Sequence, residues 1–368
     1  MNRLIKALVE VGEGLSRAVF RFPLTVFCLI CATALVCYTI SLHKDPELII
    51  FKLMFTSLLG AFIGVAAQFA CERFKRLADM RIGVYAFAAL LILGYFMIVR
   101  PAPAIDFGVG ARTSVAIFAM FCAFIWLPSY GEKFDFNSVA LVHFKSFFTA
   151  VLYAGVLSAG LSSIIAAINF LLFRINSDWY GYTNAVVWIL FATIYYLSLL
   201  PNFNSDAEED RAYAQEASHY PRFLDILVSY IAIPLVAAYT LVLLVYFIKI
   251  GVTRTWPVGQ IGPMVLWYSS VGAIIYILAS RLQNRFAVLY QQIFPKVLVP
   301  IVIMQLISVY IRINAYGFTE GRYYVALFGL FSVLCGVVFS LKPVTKNGLY
   351  AVVAAIIAII SVIPPVDA

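Results

Sequence analysis

Charged side chains are scarce in this chain of 368 residues, of which only 12% are Asp, Glu, Lys or Arg and 63% are hydrophobic. A soluble globular domain carries about 25% charged residues. The mean hydropathy of +0.95 points the same way. We therefore expect most of the chain to lie in a membrane, which leaves no room for a large soluble domain.

Histidine is rarer still, and its scarcity excludes several kinds of catalytic site. His43, His143 and His219 are far apart, and no H-E-x-x-H motif of a zinc protease occurs. No histidine falls inside a predicted membrane span, which argues against a Ser–His pair acting within the bilayer. A phosphate-binding P-loop is also absent. The sequence predicts neither a metal site nor a cofactor.

Cysteine is present at six positions, and Cys28 and Cys31 form a C-x-x-C pair. Such a pair can bind a metal or exchange disulfides. Here it lies in the middle of an apolar run without histidine or charge beside it. We therefore interpret both residues as small apolar side chains that pack in a helix.

Apolar runs recur along the chain, and about 20 such residues cross a bilayer as a helix. The fold class is therefore all-α, a polytopic transmembrane helical bundle of about eleven spans. The predicted spans are 23–42, 48–70, 82–99, 111–128, 146–173, 183–200, 223–248, 263–280, 297–311, 323–341 and 348–364. Amphipathic helices on the cytoplasmic surface of the bilayer are predicted at residues 1–22 and 281–296. The first of these segments has no cleavage site of small residues.

The net charge of +8 does not indicate nucleic-acid binding, because basic residues typically hold the cytoplasmic ends of membrane helices. If the N-terminus lies inside, about two thirds of the 26 lysines and arginines fall on that side. The predicted topology is therefore N-in and C-out. One span more or fewer would invert part of it.

The longest polar connection is 201–222, which is acidic and predicted to be cytoplasmic. It separates a first membrane bundle at 23–200, with about six spans, from a second at 223–368, with about five. Two interpretations of the connection remain open. It is either a solvated linker or a docking site for a protein partner.

Small residues in the first bundle predict close helix packing. Gly60 and Gly64 form a G-x-x-x-G, and Ala154, Ser158 and Ser162 repeat at four-residue spacing. Such spacing lets helix backbones approach closely in lipid. The contact is either inside the chain or, through Gly60 and Gly64, between two copies in a homo-oligomer.

The second bundle contains prolines within its apolar runs. Pro234 and Pro300 each remove a backbone donor and are expected to bend their helices. Together with the polar side chains of Tyr230, Tyr239 and Gln305 they predict the lining of a cavity. Kinks without a cavity are the alternative interpretation.

The segment Tyr310–Tyr324, YIRINAYGFTEGRYY, concentrates charge and aromatic rings between two apolar runs, on the predicted outer face. It is either an interfacial anchor, where Tyr and Arg are common, or a shallow site for an anionic lipid or sugar ligand. In the second case we expect Glu320 to orient Arg312 or Arg322. The candidate ligand-binding residues are Arg254, Trp256, Tyr310, Arg312, Tyr316, Glu320, Arg322 and Tyr323.

A series of short motifs in the second bundle carries a family resemblance. The motifs are Asp225-Ile226-Leu227, Tyr230, Ile233-Pro234-Leu235, Tyr239-Thr240, Tyr246, Lys249, Trp256-Pro257, Tyr310-Ile311-Arg312-Ile313, Tyr316-Gly317, Thr319-Glu320 and Arg322-Tyr323. Over positions 223–364 the chain resembles the bacterial membrane family called domain of unknown function 4153. Gly321 stands where members often have Asn, and the first half is similar only in being hydrophobic. The resemblance implies a bacterial inner-membrane protein and assigns no reaction.

Three functions follow from these features. The first is a non-enzymatic multi-pass protein that binds or transports an anionic, envelope-related ligand at the outer face. The second is a scaffold or sensor subunit that acts through a partner at 201–222. The third is an enzyme on a lipid-linked substrate with Glu320 or Asp45 as general base. We favour the first.

Overall fold

A computed structural model describes residues 3–131, 133–253 and 261–361, and the regular structure in these ranges is entirely helical. The chain divides into two compact units. Unit 1 consists of Met1–Phe134 and Val142–Ala217, and unit 2 consists of Asp135–Leu141 and Ser218–Ala368. The all-α prediction is confirmed for the described residues.

Unit 1 contains the first ten α-helices, of which α7 begins in the short first segment of unit 2. Their bounds are α1 Arg3–Arg21, α2 Pro23–Leu42, α3 Leu48–Arg73, α4 Lys75–Asp79, α5 Arg81–Val99, α6 Phe107–Trp126, α7 Phe136–Leu171, α8 Asp178–Ala185, α9 Ala192–Ser198 and α10 Glu208–Ala217. A 3-10 turn at Leu127–Ser129 follows α6, and a π-helical turn at Val186–Phe191 joins α8 to α9.

Unit 2 contains the remaining helices. Their bounds are α11 Arg222–Ile226, α12 Ile233–Thr253, α13 Ile261–Ala279, α14 Arg285–Tyr316, α15 Glu320–Leu341 and α16 Gly348–Ile360. A π-helical turn at Leu227–Ala232 joins α11 to α12, and a 3-10 turn at Val344–Lys346 precedes α16.

Nine helical stretches among the described residues are long and apolar enough to cross a membrane. The predicted spans 183–200 and 348–364 are not among them, so the count of about eleven is not confirmed. The helix that contains 183–200 begins with the polar residues of α8, and the apolar helix near the C-terminus is described only over Val344–Ile360.

The G-x-x-x-G of α3 packs inside the chain. Gly60 and Gly64 are buried against α2, and a Cβ on Gly64 would lie 2.5 Å from Thr25 Oγ1. A Cβ on Gly60 would lie 2.8 Å from Cys28 Sγ. These contacts agree with the first interpretation of the motif. A homo-oligomer contact at the two glycines would need a surface that α2 already covers.

A partly buried ion pair links three segments of unit 1. The Arg21 guanidinium donates from Nε to Glu72 Oε1 at 2.7 Å and from Nη2 to Glu72 Oε2 at 2.9 Å. It also donates to the carbonyl oxygens of Leu200 at 2.5 Å and Pro201 at 3.1 Å. Gln68 donates to Glu72 Oε1 at 2.8 Å. The pair therefore ties the end of α1 to the end of α3 and to the segment after α9.

Helix α7 begins ten residues before the predicted span, which places His143 inside an apolar helix and corrects the expectation that no histidine lies within a span. The side chain of His143 is buried, and its Nδ1 atom lies 2.6 Å from Tyr196 Oη. Its ring also contacts Phe69 and Phe124. The contact with Tyr196 gives one ring nitrogen of His143 a polar partner inside the unit.

Helix α14 is one continuous element, so residues 281–296 do not form the separate surface helix that the sequence predicted. Asn284 caps the helix by accepting from the Ala287 amide at 2.9 Å. Tyr290 donates to the Gly272 carbonyl at 3.0 Å, and Gln291 donates to the Ala279 carbonyl at 2.8 Å. These bonds hold Tyr290 and Gln291 against α13. The polarity of the sequence had instead predicted that this segment lies on the surface of the bilayer.

The helices α13, α14 and α15 pack on one another in antiparallel order. Two glycines allow the close approach. A Cβ on Gly272 would lie 2.3 Å from the Phe294 ring, and one on Gly336 would lie 2.7 Å from Val299. Because the helices alternate in direction, the start of α13, the end of α14 and the start of α15 meet at one end of this group.

Candidate functional site

A pocket of 240 Å³ lies where α13 begins, α14 ends and α15 begins. Its walls come from all three helices, and two of the predicted ligand-binding residues, Arg312 and Arg322, line it. The complete lining is Gly262, Pro263, Ser308, Val309, Arg312, Thr319, Gly321, Arg322 and Val325. We call this the arginine pocket.

The turn between α14 and α15 brings the two arginines to the same pocket. Gly317 ends α14 with a φ of 79°, a left-handed conformation that glycine adopts without strain. Thr319 is extended, and α15 starts at the next residue. The chain therefore reverses direction within three residues, so that the last turns of α14 lie beside the first turn of α15.

Arg322 is held over the end of α14. Its Nη1 donates to the carbonyl oxygens of Tyr316 at 3.1 Å and Gly317 at 2.5 Å, and its guanidinium lies 5.8 Å from the centre of the Tyr316 ring. Cations near the C-terminal carbonyls of a helix are favourable. These contacts fix the position of the side chain while it still lines the pocket.

Arg312 is less fully bonded. Its Nε is buried and has no hydrogen-bond partner among the described residues. The first turn of α15 adds positive character, because its N-cap, Thr319, makes no side-chain cap and the first amides of a helix have no partner within it. Two guanidinium groups and a helix N-terminus thus surround one small volume. This arrangement favours an anion.

Glu320 does not pair with either arginine in the part of the chain that the structure describes. It is half-buried at the first position of α15 and does not line the pocket. The expected orienting role of Glu320 is therefore not seen in this arrangement. The carbonyl oxygens at the end of α14 take that role for Arg322 instead.

None of the tyrosine candidates lines the pocket. Tyr310 and Tyr316 are 65% and 64% exposed, as expected of side chains at a membrane interface. Tyr323 is half-buried, and its ring lies 6.1 Å from Phe318 and 5.2 Å from Tyr324. Two further candidates, Arg254 and Trp256, lie outside the described residues.

The residues predicted to line a cavity separate into two groups. Tyr230, Pro234 and Pro300 are exposed on unit 2, and the Tyr230 ring lies 5.6 Å from Phe286. The ring of Tyr239 stacks on Tyr268 at 6.0 Å. None of these lines the arginine pocket.

Gln305 is the exception among them, because it is completely buried in α14. It lies one helical turn before Ser308, which lines the pocket. Ser308 was missed by the sequence analysis, although its position four residues before Arg312 places both side chains on one helix face. Gly262 and Pro263 had no such signal, because only the packing of α13 on α14 brings them to the site.

The helical architecture and its apolar stretches define a multi-pass protein of the membrane type. The chain belongs to the family described as Domain of unknown function (DUF4153), whose model matches residues 30–366. The family resemblance is therefore confirmed, and it extends through the first bundle, which the sequence analysis had considered similar only in hydrophobicity. No curated protein and no solved structure matches the chain.

Proposed function

We propose that this protein binds an anionic, envelope-related ligand in the arginine pocket, at the outer face of a bacterial inner membrane. The observation that carries the proposal is the convergence of Arg312, Arg322 and the start of α15 on one pocket. The apolar helices and the family support a membrane location. The outer position of this end of unit 2 is the one that the N-in topology of eleven spans predicts.

The chemistry of the pocket suits a phosphate or a carboxylate. A guanidinium offers several N–H donors in a fixed plane and forms two parallel bonds with either group. The volume of 240 Å³ suits the charged end of a ligand with a small attached group. The exposed ring of Tyr316, which lies beside Arg322, offers an aromatic surface to a sugar or a lipid headgroup. Such binding requires no reaction, in agreement with a non-enzymatic role.

The proposal is tested by measuring lipid and phosphate binding to the purified protein with native mass spectrometry. The probes are phosphatidylglycerol, phosphatidylcholine and free glycerol 3-phosphate. We expect preference for an anionic probe, and a loss of about tenfold in affinity in Arg312→Gln and in Arg322→Gln. Arg285→Gln, an exposed arginine at the opposite end of α14, is the matched control. Equal binding by all four proteins would refute the proposal.

A scaffold or sensor role at 201–222 is the second candidate, and one surface supports it. Ala214 of α10 is buried and Tyr213 Oη donates to the Leu199 carbonyl at 3.2 Å, which holds the helix on unit 1. The outward side carries Glu208, Glu209 and Glu216, which are exposed. An ordered helix with an acidic outer side suits a basic protein partner.

The segment before α10 is fixed by charge. Lys133 Nζ and Arg211 Nη2 donate to Asp206 Oδ1 at 2.8 and 2.9 Å. These hydrogen bonds lower the pKa of Asp206, and the bond from Lys133 has a larger effect than the bond from Arg211. The folded state thus favours the charged carboxylate, so this contribution to stability is present at neutral pH and is lost as the pH falls through the lowered pKa.

A further inference from the structure

Two buried polar side chains in unit 2 have atoms without hydrogen-bond partners among the described residues. Gln305 is fully buried, and neither Nε2 nor Oε1 of its amide is bonded. Ser269 of α13 is 3% exposed, and its Oγ is also without a partner. An amide buried without a hydrogen bond is unfavourable, and more so at membrane depth. Each of the two side chains therefore indicates a polar molecule bound at its own position.

Both residues lie on the facing sides of α13 and α14. The ring of Phe294 in α14 lies against Gly272 of α13. Gln305 follows Phe294 by about three helical turns, which returns it to the same face of α14. Ser269 precedes Gly272 by about one turn, which places it on the side of α13 that faces α14.

The polar row continues from the arginine pocket into the unit. Along α14, Arg312, Ser308 and Gln305 follow one another at spacings of four and three residues, which puts them on one side of the helix. Arg312 and Ser308 line the pocket. Gln305 is the next polar position inward, and Ser269 lies farther along the same interface.

We propose that Gln305 binds water in a hydrated track that continues the arginine pocket inward between α13 and α14. The amide supplies one donor group and one acceptor group, and water matches both. Ser269 supplies a further hydroxyl toward the inner end. The track gives a small polar molecule a route from the pocket into unit 2. The inference deepens the proposed function by making the pocket the mouth of this track, but its test does not require anion binding.

Cysteine accessibility tests the track directly. The protein in detergent or nanodiscs is treated with hydroxyethyl methanethiosulfonate, a small uncharged water-soluble reagent. We expect the Gln305→Cys variant to be labelled at least about tenfold faster than Val302→Cys, because a thiol without access to water is unreactive. Val302 is fully buried on the same helix, near the α15 side. The parent chain, with six cysteines, gives the background. Equal labelling of the two variants would overturn the proposal, whatever the result of anion binding.

A second variant tests whether the Gln305 amide is hydrogen-bonded to water or has no hydrogen bond. Gln305→Met keeps the length of the side chain and removes its polar atoms. If water is bound, we expect the Tm to fall by about 2–4 °C, because hydrogen bonds are lost. Gln291→Met is the calibrating control, since Gln291 donates to the Ala279 carbonyl at 2.8 Å. A rise in Tm for Gln305→Met would show that the amide is buried without a partner and would overturn the proposal.

Discussion

At the scale of single residues, the ion pair of Arg21 with Glu72 joins distant parts of unit 1. The two side chains are 20% and 9% exposed, so the charges are largely removed from water. A buried pair contributes modestly compared with a well-packed apolar pair, but the loss of one partner leaves a charge uncompensated. The backbone carbonyls of Leu200 and Pro201 also accept from Arg21, so the two partners are not equivalent.

We predict that Arg21→Met destabilises the protein by about 3 kcal/mol, because Glu72 keeps only the bond from Gln68. Glu72→Met should have a smaller effect, since Arg21 retains its two carbonyl acceptors. The double variant should unfold at a higher temperature than Arg21→Met alone. Thermal unfolding in detergent measures all three. If the double variant shows the full sum of the single effects, the two side chains do not act as a pair.

At the scale of elements, small residues decide how closely the helices approach. Gly64 of α3 leaves no space for a methyl group beside Thr25. A Cβ on Gly94 of α5 would have no atom from another part of the described chain within 4 Å. The two glycines are both in apolar helices of unit 1. They therefore form a matched pair for testing helix contact.

We predict that Gly64→Ala lowers stability by about 1–3 kcal/mol, because α2 must shift away from α3. Gly94→Ala should be neutral or slightly stabilising, because alanine favours the helix. The midpoint of thermal unfolding and the oligomeric state by light scattering are measured together. A change in oligomeric state at Gly64→Ala without loss of stability would support the homo-oligomer interpretation and contradict the intramolecular one.

At the scale of the whole molecule, two surfaces offer different partners. The arginine pocket of unit 2 contains two guanidinium groups, and the exposed side of α10 in unit 1 is acidic. Their opposite charge makes the two candidate functions separable by mutation.

For the scaffold candidate, we predict that combined Glu208→Gln, Glu209→Gln and Glu216→Gln substitutions remove a protein partner recovered by crosslinking in native membranes. Asp206 is left intact, because it bonds to Lys133 and Arg211. Asp79→Asn, an exposed acid of α4, is the control. Recovery of the same partner at the same yield from the triple variant would exclude this surface.

The helical class and the two pocket arginines could be predicted, because long apolar runs and clustered charge are local features of the sequence. The continuity of α14 could not, since Tyr290 and Gln291 are polar in sequence and become paired only when α13 packs against them. The same holds for Arg21 and Glu72, which lie in different helices. Gly262 joins the pocket for an equally non-local reason.

The order of the bonds around Arg21 has a consequence for biosynthesis. Glu72 leaves the ribosome long before Leu200 and Pro201, so the carboxylate is the first partner that the guanidinium meets. Charge neutralisation of the nascent first helices therefore precedes their attachment to the later segment, and it lowers the penalty of a lone cation near lipid during insertion. The carbonyl groups of Leu200 and Pro201 then bond to an Arg21 side chain that is already paired with Glu72.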